Sequence, residues 1–233
     1  MRRIVPIAPA KSVAHQVRDG VRDAIIDGQF AMGESISEER LVALFGVSRS
    51  PIRDALNELK FTGLVEIVPK RGSFVFLPDD EEVADLCEFR LMLEREAATL
   101  AMTRDPDGLL RRLREICERM ARAEDTGDRD DYSRADTDYH AAFFEFCGNR
   151  LVSDAYALAD ARIATLRTAL TAPSDDRREA SFHEHLRMVA QLGLRDMAGF
   201  AVTLSEHIDR TRRVAMVELR KFKETADDTS RTT

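Results

Sequence analysis

"SISEERLVALFGVSRSPIRDALNELKFTGLVEIVPKRGSFV", residues 35–75, decides the fold of the first third of the chain. Ser37 opens a helix, with Glu38 and Glu39 in its electropositive first turn and Ile36 and Leu41 placed as a hydrophobic staple. That helix ends near Gly46. After a short turn, a second helix is capped by Ser48 or Ser50, tolerates Pro51 in its first turn, and turns Ile52, Ala55, Leu56 and Leu59 inward. Gly63 stops it. Two β-branched and aromatic runs then flank Pro69, Lys70, Arg71 and Gly72, which reads as a hairpin with a basic tip. Upstream, residues 11–28 place Val13, Val17, Val21, Ala24 and Ile25 on one helical side and stop at Gly28. Helix, helix, turn, helix, basic hairpin is the order of a winged helix-turn-helix.

"FLPDDEE", residues 76–82, marks the boundary, since Pro78 ends an extended stretch and Asp79 and Asp80 can cap a new helix. Beyond it the pattern is helical throughout. About six helices are expected, near 80–104, 106–125, 128–147, 150–171, 175–194 and 195–223, separated by Asp105-Pro106, "DTGD", Gly148-Asn149, "TAPSDD" and "GLRD". The expected fold class is mainly α: a winged helix-turn-helix domain over residues 1–77, then an all-α antiparallel helical bundle over 78–223. Residues 224–233 read as a polar tail.

Residues 1–78 hold 11 Lys+Arg against 9 Asp+Glu, whereas residues 79–233 hold 24 against 33. One part can approach a polyanion and the other is repelled by it. No stretch approaches the ~20 apolar residues of a membrane span, and the start lacks the apolar segment of a signal peptide. The expectation is a cytoplasmic protein with no membrane partner. Cys87, Cys117 and Cys147 sit singly in helical patterns and read as buried thiols.

A helix-turn-helix offers the start of its second helix to the major groove. Here that end carries Arg49 and Arg53, four apart on one face, beside Ser48 and Ser50. Arginine can bridge both acceptors of guanine, and serine hydroxyls suit phosphate. At the hairpin tip, Lys70 and Arg71 project from a turn that Gly72 lets approach a backbone or minor groove. A solvated basic face would explain these charges but not their coincidence with cap, turn and wing.

The run quoted above, above all "VSRSPIRDAL" followed by "GLVE" and "KRGSFV", resembles the DNA-binding domain of the GntR family of bacterial transcription regulators. The resemblance implies a homodimeric repressor or activator on a palindromic operator, with Arg49 and Arg53 at DNA-contacting positions and Gly72 at the wing tip. Helix two opens "SEER", which leaves Arg40 a weaker candidate.

In "SRADTDYHAAFFEF", residues 133–146, Asp136 and His140 stand four apart and could chelate one ion from a single helical side. Phe143 and Phe144 turn that side inward. His185 and His207 lie on later helices in apolar surroundings. Three imidazoles and a carboxylate suit zinc, nickel or manganese, but each residue alone also fits a satisfied core or interface position. Arg90 shares a helical face with Leu86, Cys87, Leu93 and Ala97, so its guanidinium needs an anionic partner, either Glu94 or an effector. His183 reads as a neighbour of the site and His15 as surface or domain packing.

Asp136-x-x-x-His140, His185 in "EHLRMV" and His207 in "EHIDRT" are similar to the FCD effector domain of the FadR subfamily. That resemblance implies a divalent metal, zinc first and nickel or manganese as alternatives, on Asp136, His140, His185 and His207. It further implies a small organic acid effector on the metal's open positions, assisted by Arg90 in "CEFRLMLERE". "HEHLR" is not the zinc-protease spacing, and no Gly-rich phosphate loop or Gly-x-Ser-x-Gly elbow occurs, so an enzyme is not expected. Two alternatives stay open: a helical half that only dimerises, and a metal-dependent enzyme domain fused to a DNA-binding domain.

Overall fold

The computed structural model describes residues 12–231. Residues 1–11, where the N-terminal domain was expected to begin, and residues 232–233 of the expected tail lie outside the described residues. The chain divides into two compact units, Met1–Phe76 and Leu77–Thr233.

In the first unit, α1 (Val13–Ile26), α2 (Glu38–Phe45) and α3 (Arg49–Phe61) surround a small core. Val17, Val21 and Ile25 of α1 are buried, as are Leu41 of α2 and Ile52, Ala55, Leu56 and Leu59 of α3. Each of these valine, leucine and isoleucine side chains contributes roughly 1.5–3 kcal/mol relative to exposure. The Ser37 hydroxyl accepts from the Arg40 N–H and caps α2, and Gly46 ends that helix at φ 64°, a left-handed conformation that glycine adopts without strain. The wing is a three-stranded antiparallel sheet in the order β1 (Ser35–Ile36), β3 (Gly72–Val75), β2 (Val65–Val68). β1 was not anticipated. Two residues are too few to show an alternating pattern, and Ile36 joins the sheet only because Ser73 is there to pair with it.

In the second unit, α4 (Asp80–Arg104), α5 (Pro106–Thr126), α6 (Arg129–Phe146), α9 (Asp175–Gly193) and α10 (Met197–Arg231) form the bundle, with α7 (Arg150–Tyr156) and α8 (Asp160–Leu166) between. Asp79 and Glu82 close a reciprocal capping box at the start of α4. α6 packs on α4 and α5, and α10 packs on α4 and α9. Leu109, Leu113, Ile116 and Met120 of α5 and Tyr139 and Phe143 of α6 fill the centre.

Two expectations are corrected. The single helix expected over 150–171 is broken into α7, α8 and a five-residue π-helical turn, Arg167–Thr171. No proline or glycine marks the break. Tyr156 stacks on Phe144 at 3.9 Å between centroids, and the chain then turns tightly through Leu158 N–H to Ala155 C=O and Ala159 N–H to Tyr156 C=O. The helix expected to end at 223 instead runs to Arg231 as part of α10. "KETADDTSR" holds no helix breaker, and extending an existing helix is far cheaper than starting one.

Candidate metal centre and nucleic-acid face

At the centre of the second unit, α6 supplies Asp136 and His140, α9 supplies His185, and α10 supplies His207. Ring centroids of the histidines lie 5.2, 5.3 and 4.9 Å apart, and one nitrogen from each falls within 4.8 Å of the others. All three rings are buried.

Partner chemistry assigns the tautomers. His140 Nδ1 lies 2.9 Å from Glu94 Oε2 and His207 Nδ1 lies 2.7 Å from Glu184 Oε2. A carboxylate accepts, so each Nδ1 carries the hydrogen and each Nε2 keeps its lone pair. His185 differs: neither ring nitrogen has a hydrogen-bond partner among the described residues, and its ring stacks on Tyr139 at 4.1 Å. An uncompensated buried polar atom is costly, and lone pairs converging on one point are what a divalent cation requires. The residues present fit such an ion, with the carboxylate–histidine support common around metal ligands.

Burial holds all three imidazoles neutral, the form that ligates. It lowers the His140 pKa well below the ordinary value, with Arg90 and Arg167 adding to the effect. It brings His185 down to about 3, and it outweighs the Glu184 contact at His207. For Glu184, burial pushes upward, but the hydrogen bonds from His207 and Arg210 prevail and bring it to about 2.

Asp136 sits at the edge of the cluster. Its Oδ1 is 3.7 Å from His185 Nε2, and its Oδ2 is 3.1 Å from Arg167 Nε. Burial alone would raise its pKa, yet Arg167 and the histidines hold it well below the usual carboxylate range. Arg90 is 1% exposed and donates from Nε to Glu94 Oε1 at 2.7 Å. Its Nη2 lies 2.7 Å from His140 Nε2 and 3.5 Å from His207 Nε2. Glu94 is therefore an anionic partner of Arg90 within the fold.

Beside the cluster opens a small cavity of about 30 Å³, with Asp136 and His207 in its wall and Arg167, Arg177, Arg178 and Arg210 around it. Ser133, Thr168, Ser181 and Thr211 add hydroxyls. Each arginine already faces a carboxylate: Asp136, Glu218, Glu124 and Glu184 respectively. Arg167 and Glu184 were missed by sequence reasoning. Glu184 stands in the quoted "HEHLR", but its partners are on α10; Arg167 meets Asp136 only through the π-helical turn. His183 points outward beside Glu179.

In the first unit, Ser48, Arg49, Ser50 and Arg53 are exposed at the start of α3, and Lys70, Arg71 and Gly72 are exposed at the wing tip. Ser48 is the N-cap of α3, but its side chain makes no capping hydrogen bond. Arg49 Nη2 is 2.9 Å from Glu39 Oε1, and Arg53 Nε is 2.8 Å from Glu38 Oε1. Lys70 takes a left-handed φ of 66° and Gly72 a φ of 114°, which bends the tip sharply. Arg40 is occupied within the unit, 2.6 Å from Glu34 and 4.4 Å above the Phe30 ring. His15 lies on α1, 3.5 Å from Glu58.

The gntR family of bacterial regulatory proteins matches residues 13–75, and the FCD domain matches residues 85–210. The chain belongs to the GntR family of transcription regulators and carries an FCD domain. This regulator is 28% identical over 178 residues, 76% of its length and 79% of the relative's, to the uncharacterized HTH-type transcriptional regulator YdhC of Bacillus subtilis (strain 168). It is 24% identical over 200 residues, 86% of its length and 87% of the relative's, to the HTH-type transcriptional repressor RspR of Escherichia coli (strain K12). In fold the regulator is similar to E. coli McbR/YncC, with a TM-score of 0.73, 18% identity, and 88% of this chain and 98% of that one covered. These families and relatives are regulators rather than enzymes, so the expected absence of an enzyme activity stands and the metalloenzyme alternative falls away. Among the described residues no helix is long and apolar enough to cross a membrane.

Proposed function

We propose that this regulator is a cytoplasmic, homodimeric repressor that binds a palindromic operator and responds to a small organic acid held beside a divalent metal. The observation that carries the effector half is the buried histidine triangle, with both His185 ring nitrogens lacking a hydrogen-bond partner among the described residues. His140, His185 and His207 would hold the ion, with Asp136 as fourth ligand; neutral imidazoles and one carboxylate suit zinc, then nickel or manganese. When bound, the ion supplies a Lewis-acidic position for a carboxylate. The adjoining cavity is lined with arginine side chains and hydroxyls, and that chemistry favours an anionic, hydroxyl-accepting effector such as a small carboxylate or sugar acid. The domain roles follow: residues 1–77 bind DNA, and residues 78–223 bind effector and dimerise.

On DNA, Arg49 and Arg53 read base edges while Ser48, Ser50, Lys70, Arg71 and Gly72 meet backbone or minor groove. Glu38 and Glu39, which hold the two arginines here, would be exchanged for DNA acceptors. Effector binding regulates only if its affinity differs between DNA-competent and incompetent arrangements.

A thermal-shift screen of zinc-loaded and chelated protein against small carboxylic and sugar acids tests this reading, with elemental analysis alongside. Expected are a divalent ion in purified protein, its loss in His140→Ala, and acid-induced stabilisation that needs the metal. Wild-type protein that takes up no ion, or full metal content in His140→Ala, overturns the metal site.

A further inference from the structure

Arg90, Glu94 and His140 form a closed ring of contacts. Arg90 Nε donates to Glu94 Oε1 at 2.7 Å, His140 Nδ1 donates to Glu94 Oε2 at 2.9 Å, and Arg90 Nη2 donates to His140 Nε2 at 2.7 Å. The same Nη2 reaches toward His207 Nε2 at 3.5 Å. Arg90 is 1% exposed, and Glu94 and His140 are 0% exposed. A guanidinium stays charged at every accessible pH, so a permanent unit of positive charge stands where the histidine lone pairs converge.

A neutral imidazole has one lone pair in its ring plane. The Nε2 of His140 can accept from Arg90 or coordinate an ion, but it cannot do both. We propose that Arg90 is a resident cation that competes with the metal for His140 and His207, and that an anion relieves the competition by accepting the N–H donors that Arg90 withdraws. This rests on the reading of the histidines as metal ligands and deepens it. The consequence is reciprocal coupling: a carboxylate that engages Arg90 raises metal affinity, and metal raises carboxylate affinity by the same factor. Neither ligand alone would then bind as well as the pair, which makes the site respond to the acid and the ion together.

Glu94 shapes the choice of variant. Removing Arg90 alone would strand a buried carboxylate, at a cost of about 3–5 kcal/mol. Arg90→Met combined with Glu94→Gln removes both charges while leaving an amide oxygen to accept from His140 Nδ1. Glu94→Gln alone retains the arginine but leaves its buried charge unpaired, so it serves as the control where circular dichroism shows it folded.

The test is zinc affinity of the full chain, read by competition against a chromophoric chelator, with and without acetate as the probe anion. In carboxylate-free buffer the double variant should bind zinc at least tenfold more tightly than wild type, and more tightly than Glu94→Gln alone. Acetate should tighten zinc binding by the wild type and have no such effect in the double variant. Equal or weaker zinc binding by a folded double variant overturns the proposal and leaves the histidine site intact. An acetate effect that survives in the double variant also overturns it. Zinc binding by neither wild type nor variant overturns the histidine reading itself, and this proposal with it.

Discussion

His207 Nδ1 stands 2.7 Å from Glu184 Oε2, and this contact turns the Nε2 lone pair of His207 toward His140 and His185. Glu184 also takes both Nε and Nη2 of Arg210, so one carboxylate holds a ligand and a cavity-wall cation together. Glu184→Ala should lower zinc affinity by roughly 10–100-fold, the usual effect of losing a support behind a ligand. Chelator competition measures it. Unchanged affinity in the folded variant would remove Glu184 from the site.

Arg167 and Asp136 form a buried ion pair at 3.1 Å. Removing one partner of such a pair costs about 3–5 kcal/mol, because the other charge is left in a low dielectric, whereas removing both costs much less. Arg167→Met should therefore destabilise the helical unit more than Arg167→Met combined with Asp136→Asn. Denaturant unfolding of chelated protein gives the comparison. A double variant less stable than the single one would show that the two residues do not act as a pair.

On DNA, Arg49→Ala and Arg53→Ala should each weaken operator binding on the order of tenfold or more, with relaxed discrimination at the base pair each side chain reads. Lys70→Ala or Arg71→Ala should weaken all sequences alike and reduce the salt slope by about 1, as expected for a lost phosphate contact. Fluorescence anisotropy over a salt series separates the two behaviours. Wild-type affinity in an Arg49→Ala, Arg53→Ala double variant would refute the recognition-helix assignment.

Cys117 is buried on α5, and burial lifts its thiol pKa from 9.0 to about 12, with Glu118 adding to the rise. The folded chain thus keeps this proton where the unfolded chain releases it. Its contribution is fully present below pH 9 and is lost as pH rises from about 9 toward 12. With Cys87 and Cys147 also free and buried, native protein at pH 8 should react slowly with a disulfide reagent, and all 3 thiols should react after denaturation. A fast native burst would contradict this.

Much of this was legible in the residue order, because it rests on local rules. Ser37, Gly46, Pro51 and Gly63 punctuate the first unit, and the basic tip at Lys70 and Arg71 falls between strands that β-branched and aromatic runs define. The same holds for the helix cap at Asp79 and for the inward side of α6, where four-residue spacing places Asp136 and His140 together. The broken helix after Tyr156 was not legible, since the break follows stacking on Phe144 rather than any helix-breaking residue.

By itself, then, the sequence determined the order of elements, the exposure of Arg49 and Arg53, and the candidacy of the histidines. Tertiary structure decided which groups meet. Only the packing of α4, α6, α9 and α10 brings His140, His185 and His207 to one point, sets Glu94 and Glu184 behind two of them, and aims Arg90 at their lone pairs. The physical reason is range: caps and periodicity act within a few residues, whereas the pairs Glu94–His140, Glu184–His207 and Asp136–Arg167 join segments far apart in the chain. Nothing local in "HEHLR" or in the run around Arg167 shows the partner that burial makes obligatory.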